Sequence, residues 1–151
     1  MLVVLDTCIL KLATFQGEDN PSALIFELAR RNLIEAWASP AILEEYADVL
    51  GDRPDFVAEV VEMCRVCYPL TELRVIRHEP DNRFLECALA ASADFILTVN
   101  IRWSRMLLPL PSYPRRASRG AKRRDMPTNV RGENARRLWG SARLSAVRLS
   151  T

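Results

Sequence analysis

The chain has 151 residues, of which 49% are hydrophobic, and this is enough for one domain with a sizeable apolar core. Its apolar runs are too short to span a bilayer, and the N-terminal sequence MLVVLDTCIL lacks the basic region and small-residue cleavage site of a signal peptide. The charges behind the net value of +2 are unevenly distributed. Residues 1–100 hold 8 Lys/Arg and 17 Asp/Glu, whereas residues 101–151 hold 13 Lys/Arg and 2 Asp/Glu. We therefore predict a cytoplasmic protein with an acidic domain at 1–100 and a basic tail at 101–151.

Strands and helices alternate through the acidic domain. Continuous apolar runs such as residues 2–5 are typical of buried parallel strands, and a capping residue followed by proline, as in Ser39-Pro40, is typical of a helix start. On these signals we predict strands at 2–5, 33–38, 73–77 and 94–99, and helices that begin at Thr7, Pro21, Pro40, Pro54 and Pro80. This order predicts an α/β fold with a parallel sheet, helices on both faces, and a ligand site outside the carboxyl ends of the strands.

Four acidic residues are predicted at that edge of the sheet. Asp6 directly follows the first strand, Glu44 and Glu45 lie in the first two turns of the helix after the second strand, and Asp81 begins the helix after the third. Carboxylates that converge in this way repel one another unless a cation holds them, and Mg²⁺ prefers oxygen ligands. A metal so held supports phosphodiester hydrolysis. Taken singly, Asp81 is more simply explained as a helix cap, and Glu44 and Glu45 as a solvated face near a helix N-terminus.

The cysteines, Cys8, Cys64, Cys67 and Cys87, lack the spacing of a zinc site. Cys64 and Cys67 form a CxxC pair, but no second pair follows, and His78 is the only histidine in the sequence. Because the cysteines lie among apolar residues, we predict buried, reduced thiols. His78 precedes a Pro-Asp turn, and we assign it a surface or hydrogen-bonding role.

Three segments of the acidic domain resemble the successive motifs of PIN domains. They are VVLDTCIL at 3–10, SPAILEEYADVL at 39–50 and HEPDNRFLECALAASADFILTVN at 78–100, and the resemblance covers residues 1–100 in order. It is closest to the VapC-like ribonucleases, which are toxins of bacterial toxin–antitoxin pairs. The resemblance implies a three-layer α/β/α PIN-like domain with a mostly parallel central sheet, and a Mg²⁺- or Mn²⁺-dependent endoribonuclease.

The resemblance also implies roles for particular residues. The catalytic and metal-binding acids of the family fall on Asp6, Glu45 and Asp81. Glu44 is an alternative to Glu45, one position away. The family's polar position after the fourth strand falls on Asn100, preceded by Thr98, and these two are expected to position substrate or a metal-bound water. Thr7 is expected to support Asp6 through a short hydrogen bond.

Two features depart from the family pattern. Cys8 stands where the family commonly has Asn, whose amide helps to fix the acidic cluster. No segment of residues 101–151 resembles the end of the fold, so we predict that the closing strand is missing or replaced. The Arg/Pro/Ser-rich composition of this tail predicts disorder and is what a frameshift near residue 101 would produce. The alternative is a functional basic arm that follows RNA phosphates, with Trp103, Tyr113 and Trp139 stacking on bases.

Two functions from different classes follow. The first, which the resemblance implies, is a ribonuclease toxin of a type II toxin–antitoxin system, with RNA as substrate, a cognate antitoxin as protein partner, and a homodimer as its assembly. The second is a catalytically inactive homologue that acts only by binding an antitoxin or RNA. A missing closing strand favours the second function, because it would expose an unpaired strand edge.

Overall fold

The computed structural model describes residues 1–15, 20–76, 79–100 and 145–148. The helices in these ranges are α1 (Thr7–Ala13), α2 (Pro21–Arg30), α3 (Pro40–Val49), α4 (Pro54–Met63) and α5 (Glu79–Ala91). The strands are β1 (Leu2–Leu5), β2 (Glu35–Ala38), β3 (Arg65–Val66), β4 (Phe95–Thr98) and β5 (Ser145–Arg148). Within the described ranges, each helix is too short or too polar to cross a membrane.

Capping chemistry sets where the helices begin. The Ser39 side chain accepts a hydrogen bond from the backbone N–H of Ile42, and Pro40 occupies the first helical position of α3. α2 begins in the same way, with Asn20 as the capping residue and Pro21 after it. The predicted starts of these helices are confirmed. Because only Ser39 separates β2 from α3, the first turns of α3 lie beside the carboxyl end of β2.

The strands form one sheet in the order β3-β2-β1-β4-β5. All neighbouring pairs are parallel except β4 and β5, which are antiparallel. Helix α5 contacts β1, β2 and β4, whereas α1 to α4 pack mainly against one another; α1 also contacts β4, and α3 also contacts α5. The right-handedness of parallel crossovers places these two groups of helices on opposite faces of the sheet. The predicted three-layer α/β/α fold with a mostly parallel sheet is thereby confirmed.

The central strand β1 marks a reversal in the order of the sheet. The chain adds β2 and β3 on one side of β1 and then crosses over to add β4 on the other side. Val3, Val4 and Leu5 of β1 are at most 1% exposed, as expected for a strand covered on both faces. In such sheets, ligands bind outside the carboxyl ends of the strands where the order reverses. Asp6, after β1, and Thr98, at the end of β4, lie at this point.

The predicted third strand at 73–77 is wrong. The third strand is Arg65–Val66, which pairs with the end of β2, whereas residues 71–75 have no regular secondary structure. Residue 77 lies outside the described residues, and so does His78 with the role assigned to it. The second and fourth strands are where we predicted them, although each is shorter than its predicted range.

Side chains of α5 take the place of a neighbouring strand for the segment at 73–76. The Leu73 N–H donates to the Glu86 carboxylate at 2.6 Å. The N–H groups of Val75 and Ile76 donate to Asn82 Oδ1 at 3.0 and 2.8 Å, and Asn82 Nδ2 donates to the Ile76 carbonyl at 2.9 Å. The sequence alternates as a strand does, but these four backbone groups bind side chains of α5 and not a neighbouring strand.

One segment of the tail belongs to the sheet. β5 pairs along the whole of β4, from Phe95 opposite Arg148 to Thr98 opposite Ser145. The prediction of disorder is therefore wrong for residues 145–148, and the edge of β4 is covered by a strand. The rest of the tail lies outside the described residues, together with the suggested frameshift point and the three aromatic residues of the proposed basic arm: Trp103, Tyr113 and Trp139.

We expect Asn82→Ala to lower the free energy of unfolding by about 2–6 kcal/mol, because it removes the partner of the two buried backbone groups of Ile76 and each buried unpaired group costs about 1–3 kcal/mol; the Val75 N–H, which also loses its partner, is only partly buried. Urea denaturation followed by circular dichroism measures this change. Leu70→Ala is the control in the adjoining segment, since Leu70 is 99% exposed and its truncation should have little effect. Equal stability of Asn82→Ala and wild type would show that Asn82 does not hold this segment.

Candidate functional site

Asp6 is a nearly buried carboxylate at the carboxyl end of β1, with 9% of its surface exposed. Its backbone N–H donates to the Leu97 carbonyl at 2.9 Å and so continues the pairing of β1 with β4. Its Oδ1 accepts a hydrogen bond from the Cys8 N–H at 3.1 Å, which caps the N-terminus of α1. A carboxylate is removed from water at a cost unless hydrogen bonds or a cation compensate. The position of Asp6 therefore requires compensating partners.

Thr98, which is fully buried at the end of β4, supplies the second hydrogen bond to Asp6. Its hydroxyl donates to Asp6 Oδ2 at 2.5 Å and accepts from the Asn100 N–H at 2.9 Å. A hydroxyl has a single proton, so this proton is committed to Asp6. Thr98 thus fixes the carboxylate that follows β1 and, at the same time, the backbone at Asn100, whose side chain is exposed at the surface.

Two adjacent residues of α3 attach that helix to the residues on either side of Asp6. Glu45 accepts a hydrogen bond from the Thr7 hydroxyl at 2.5 Å. Tyr46 is completely buried and donates its phenol O–H to the Leu5 carbonyl. Since Leu5 and Thr7 flank Asp6 in the sequence, these two bonds hold Glu45 close to the carboxyl end of β1.

The contacts distinguish the two candidate acids of α3. Glu45 is partly buried and bonded to Thr7, whereas Glu44 is exposed. The predicted hydrogen bond from Thr7 to Asp6 is wrong, because the single hydroxyl proton of Thr7 is donated to Glu45. These contacts support Glu45 over Glu44, and its role as a ligand stays a prediction.

Asp81 is the third residue of α5 and is partly buried. α5 packs against β1 and β4 and leads into β4 after three residues, so its first turn lies toward the carboxyl edge of the sheet. The neighbouring Asn82 ties this first turn to residues 75 and 76. Asp81 is thereby held at the same edge as Asp6, and its predicted metal-binding role stays a prediction.

Cys8 is a neutral group beside the Asp6 carboxylate. Its Sγ lies 3.6 Å from the Thr98 hydroxyl oxygen. Burial, together with the negative charge of Asp6, raises the pKa of the Cys8 thiol to about 11. The thiol therefore stays protonated near pH 7 and adds no negative charge to the site.

The donor set at this edge bears on the predicted metal ion. Among residues 1–15, 20–76 and 80–100, no three His, Cys, Asp or Glu side chains form a group that could hold a metal ion. Asp6 and Glu45 nevertheless each keep acceptor capacity beyond the hydrogen bonds described, because a carboxylate has about four lone-pair sites. Mg²⁺ is usually held by one or two carboxylates and completed by water and substrate phosphate. Each of the two carboxylates therefore has the free oxygen acceptors that this mode of binding uses.

The sequence matches the PIN domain family over residues 2–102. The chain belongs to the PIN domain family. PIN domains are generally nucleases and typically bind divalent metals. Comparison with curated proteins and with solved structures gave no significant match.

The sequence alone did not reveal several residues that position the site of this PIN domain. Tyr46 is one of them, and the only sequence signal for its bond to Leu5 is that a buried phenol requires a hydrogen-bond partner. Asn82 follows Asp81 directly, but no sequence pattern identifies a buried Asn that satisfies a loop. Thr98 was predicted as a site residue, although its bond to Asp6 depends on the register of β1 with β4 and so could not be derived locally.

Thr98→Val keeps the shape of the side chain and removes the hydroxyl. We expect it to lower the free energy of unfolding by about 2 kcal/mol, because Asp6 loses a charged hydrogen bond and the Asn100 N–H loses its acceptor. Chemical denaturation measures the change. Thr14→Val is the matched control, since the Thr14 hydroxyl makes a single solvent-exposed bond to the Lys11 carbonyl and its loss should cost less than about 0.5 kcal/mol. Equal effects of the two substitutions would contradict the role assigned to Thr98.

Proposed function

We propose that this PIN domain is a Mg²⁺- or Mn²⁺-dependent endoribonuclease that acts as the toxin component of a bacterial type II toxin–antitoxin system in the cytoplasm. The observation that carries the proposal is the position of Asp6, nearly buried at the reversal point of the sheet, with Glu45 attached to the adjacent Thr7. Family membership supports the nuclease chemistry.

In this proposal, Asp6 and Glu45 hold the metal ion, and Asp81 supplies the third acid from the first turn of α5. The metal would supply charge stabilisation at the phosphate and lower the pKa of a water. Thr98 keeps the Asp6 carboxylate in one orientation, and Thr7 does the same for Glu45. We assign Asn100 to substrate contact; its backbone N–H donates to the Thr98 hydroxyl and its side chain is exposed, which supports this assignment.

Charge is part of this proposal. Residues 1–100 carry 17 acidic against 8 basic side chains, so the domain repels RNA overall. Asp6 and Glu45 would hold a divalent ion whose charge would offset this repulsion locally, where the scissile phosphate must approach. The antitoxin partner and the homodimer belong to the same proposal and rest on the family resemblance.

The proposal predicts that the purified chain cleaves a structured RNA only when Mg²⁺ or Mn²⁺ is present, and that EDTA abolishes the cleavage. Asp6→Asn and Glu45→Gln should each reduce the cleavage rate by about 100-fold or more, because losing even a group that supports a metal ligand typically costs 10–100-fold. Glu45→Gln can still accept the Thr7 hydrogen bond, so it removes the charge alone. Gel-based cleavage of a 5′-labelled RNA measures the rates.

Matched substitutions on the same helix provide the controls. Asp48→Asn removes an exposed carboxylate of α3 and should leave the rate unchanged, and Glu44→Gln should do the same if Glu45 is the second acid. A loss of activity in Glu44→Gln but not in Glu45→Gln would move the assignment by one position. Cleavage that is identical in wild type and Asp6→Asn would refute the nuclease proposal.

A second candidate, an inactive homologue that only binds an antitoxin or RNA, is favoured by one observation. No three-ligand metal group is found in the described part of the chain. The edge of β4 does not favour this candidate, because β5 pairs with it. This candidate predicts RNA or antitoxin binding that is unchanged by EDTA, with no cleavage by the wild-type protein.

A further inference from the structure

The thiols of Cys67 and Cys87 lie side by side in the interior, with 3.4 Å between their sulfur atoms. Cys67 follows β3 directly, and Cys87 lies in the middle of α5. The Cys67 sulfur is also 3.6 Å from the Cys87 carbonyl oxygen. The CxxC motif of the sequence joins Cys67 to Cys64, so the pair that the fold brings together is different from the pair that the sequence suggests.

The two sulfurs need little movement to bond. A disulfide has an S–S distance of about 2 Å, so the gap of 3.4 Å must close by little more than an ångström. All four cysteines of the chain are free thiols in this structure. Cys87 is fully buried, whereas Cys67 retains 9% exposure.

The surroundings of Cys67 provide a route for a small reagent. β3 has two residues and lies at the edge of the sheet, and the chain after Cys67 has no regular secondary structure as far as residue 75. Tyr68 and Leu70 in this stretch are 72% and 99% exposed. Such short edge elements open locally at a lower free energy than the core, and opening here uncovers Cys67 before Cys87.

The contact also shifts the pKa values of the two thiols in opposite directions. A hydrogen bond from Cys87 lowers the pKa of the Cys67 thiol, and the same interaction, with burial, raises the pKa of Cys87. Cys67 is therefore both the more exposed and the more readily ionised of the two, as a sulfur that reacts first should be.

We propose that Cys67 and Cys87 form a reversible intramolecular disulfide when the protein meets a peroxide. The Cys67 thiolate attacks one peroxide oxygen, which breaks the O–O bond, gives a sulfenic acid and expels hydroxide, and the hydroxide takes up the proton that the Cys67 thiol lost to become the first water. The Cys87 sulfur then attacks the sulfenic sulfur, which forms the S–S bond and releases the second water. Overall, two thiols are oxidised by two electrons and one hydrogen peroxide is reduced to two waters. A thiol reductant reverses the reaction by exchange.

The disulfide closes a loop over residues 67–87. This loop contains the segment at 73–76, the Asn82 contacts and Asp81. The bond ties the end of β3 to the middle of α5, and so restrains the local unfolding of the part of the chain that leads to the first turn of α5.

Peptide mapping of the full chain tests this proposal. The native protein is treated with hydrogen peroxide and then unfolded in urea, the remaining thiols are alkylated with iodoacetamide, and the chain is digested with trypsin without reduction. Trypsin cleaves after Arg65, so Cys64 and Cys67 fall in different peptides. We expect the peptide 66–74 to be linked to the peptide 84–102. Two of the four cysteines should no longer react with iodoacetamide, and dithiothreitol should restore both thiols.

Single substitutions and a stability measurement complete the test. Cys64→Ser and Cys8→Ser should leave the linkage unchanged, whereas Cys67→Ser should abolish it. Cys67 is the residue to substitute because Cys87 is fully buried. Oxidised wild type should unfold at a higher temperature than its reduced form. Three results would each overturn the proposal: a linkage between Cys64 and Cys67, a covalent dimer, or four alkylated thiols after the peroxide treatment. Oxidation of the urea-unfolded chain by the same treatment is the control that shows the peroxide to be effective.

Discussion

The hydrogen bond from Thr98 to Asp6 joins the ends of two parallel strands at the point where the sheet order reverses. It depends on a register in which Leu5 lies opposite Leu97, so that the next residue of each strand meets at the rim. A shift of one residue would turn one of these side chains to the other face of the sheet. Because β1 is buried on both faces, the packing of the whole domain fixes this register, and the position of the carboxylate follows from it.

The second constraint is the attachment of α3 to the same end of β1. Tyr46 gives the fold a buried anchor at Leu5, and the preceding Glu45 is thereby placed against Thr7. The buried aromatic anchor and the acid proposed to bind metal are therefore adjacent residues, Tyr46 in the core and Glu45 at the rim. α5 provides a similar arrangement, in which the buried Asn82 fixes the loop before the helix and Asp81 precedes it.

The sequence predicted the features that depend on local chemistry. The apolar run before Asp6 and the Ser39-Pro40 start of α3 each determine an element directly, and the order of the elements then predicts which edge carries the acids. The position of the third strand could not be predicted in this way, because residues 73–76 alternate as a strand does while their backbone N–H groups bind side chains of α5. The hydrogen-bond partner of Thr7 and the Cys67–Cys87 contact could not be predicted from the sequence either, since both depend on how distant elements pack. β5 could not be predicted because its residues lie in a segment with the composition of a disordered tail.

The central claim is that Asp6 and Glu45 bind the same divalent ion, and direct metal binding tests it without reference to any RNA. Isothermal titration of Mn²⁺ into the purified chain should give one site for wild type and for Asp48→Asn. The site should be lost or weakened at least about tenfold in both Asp6→Asn and Glu45→Gln. Equal Mn²⁺ binding by wild type, Asp6→Asn and Glu45→Gln would contradict the account.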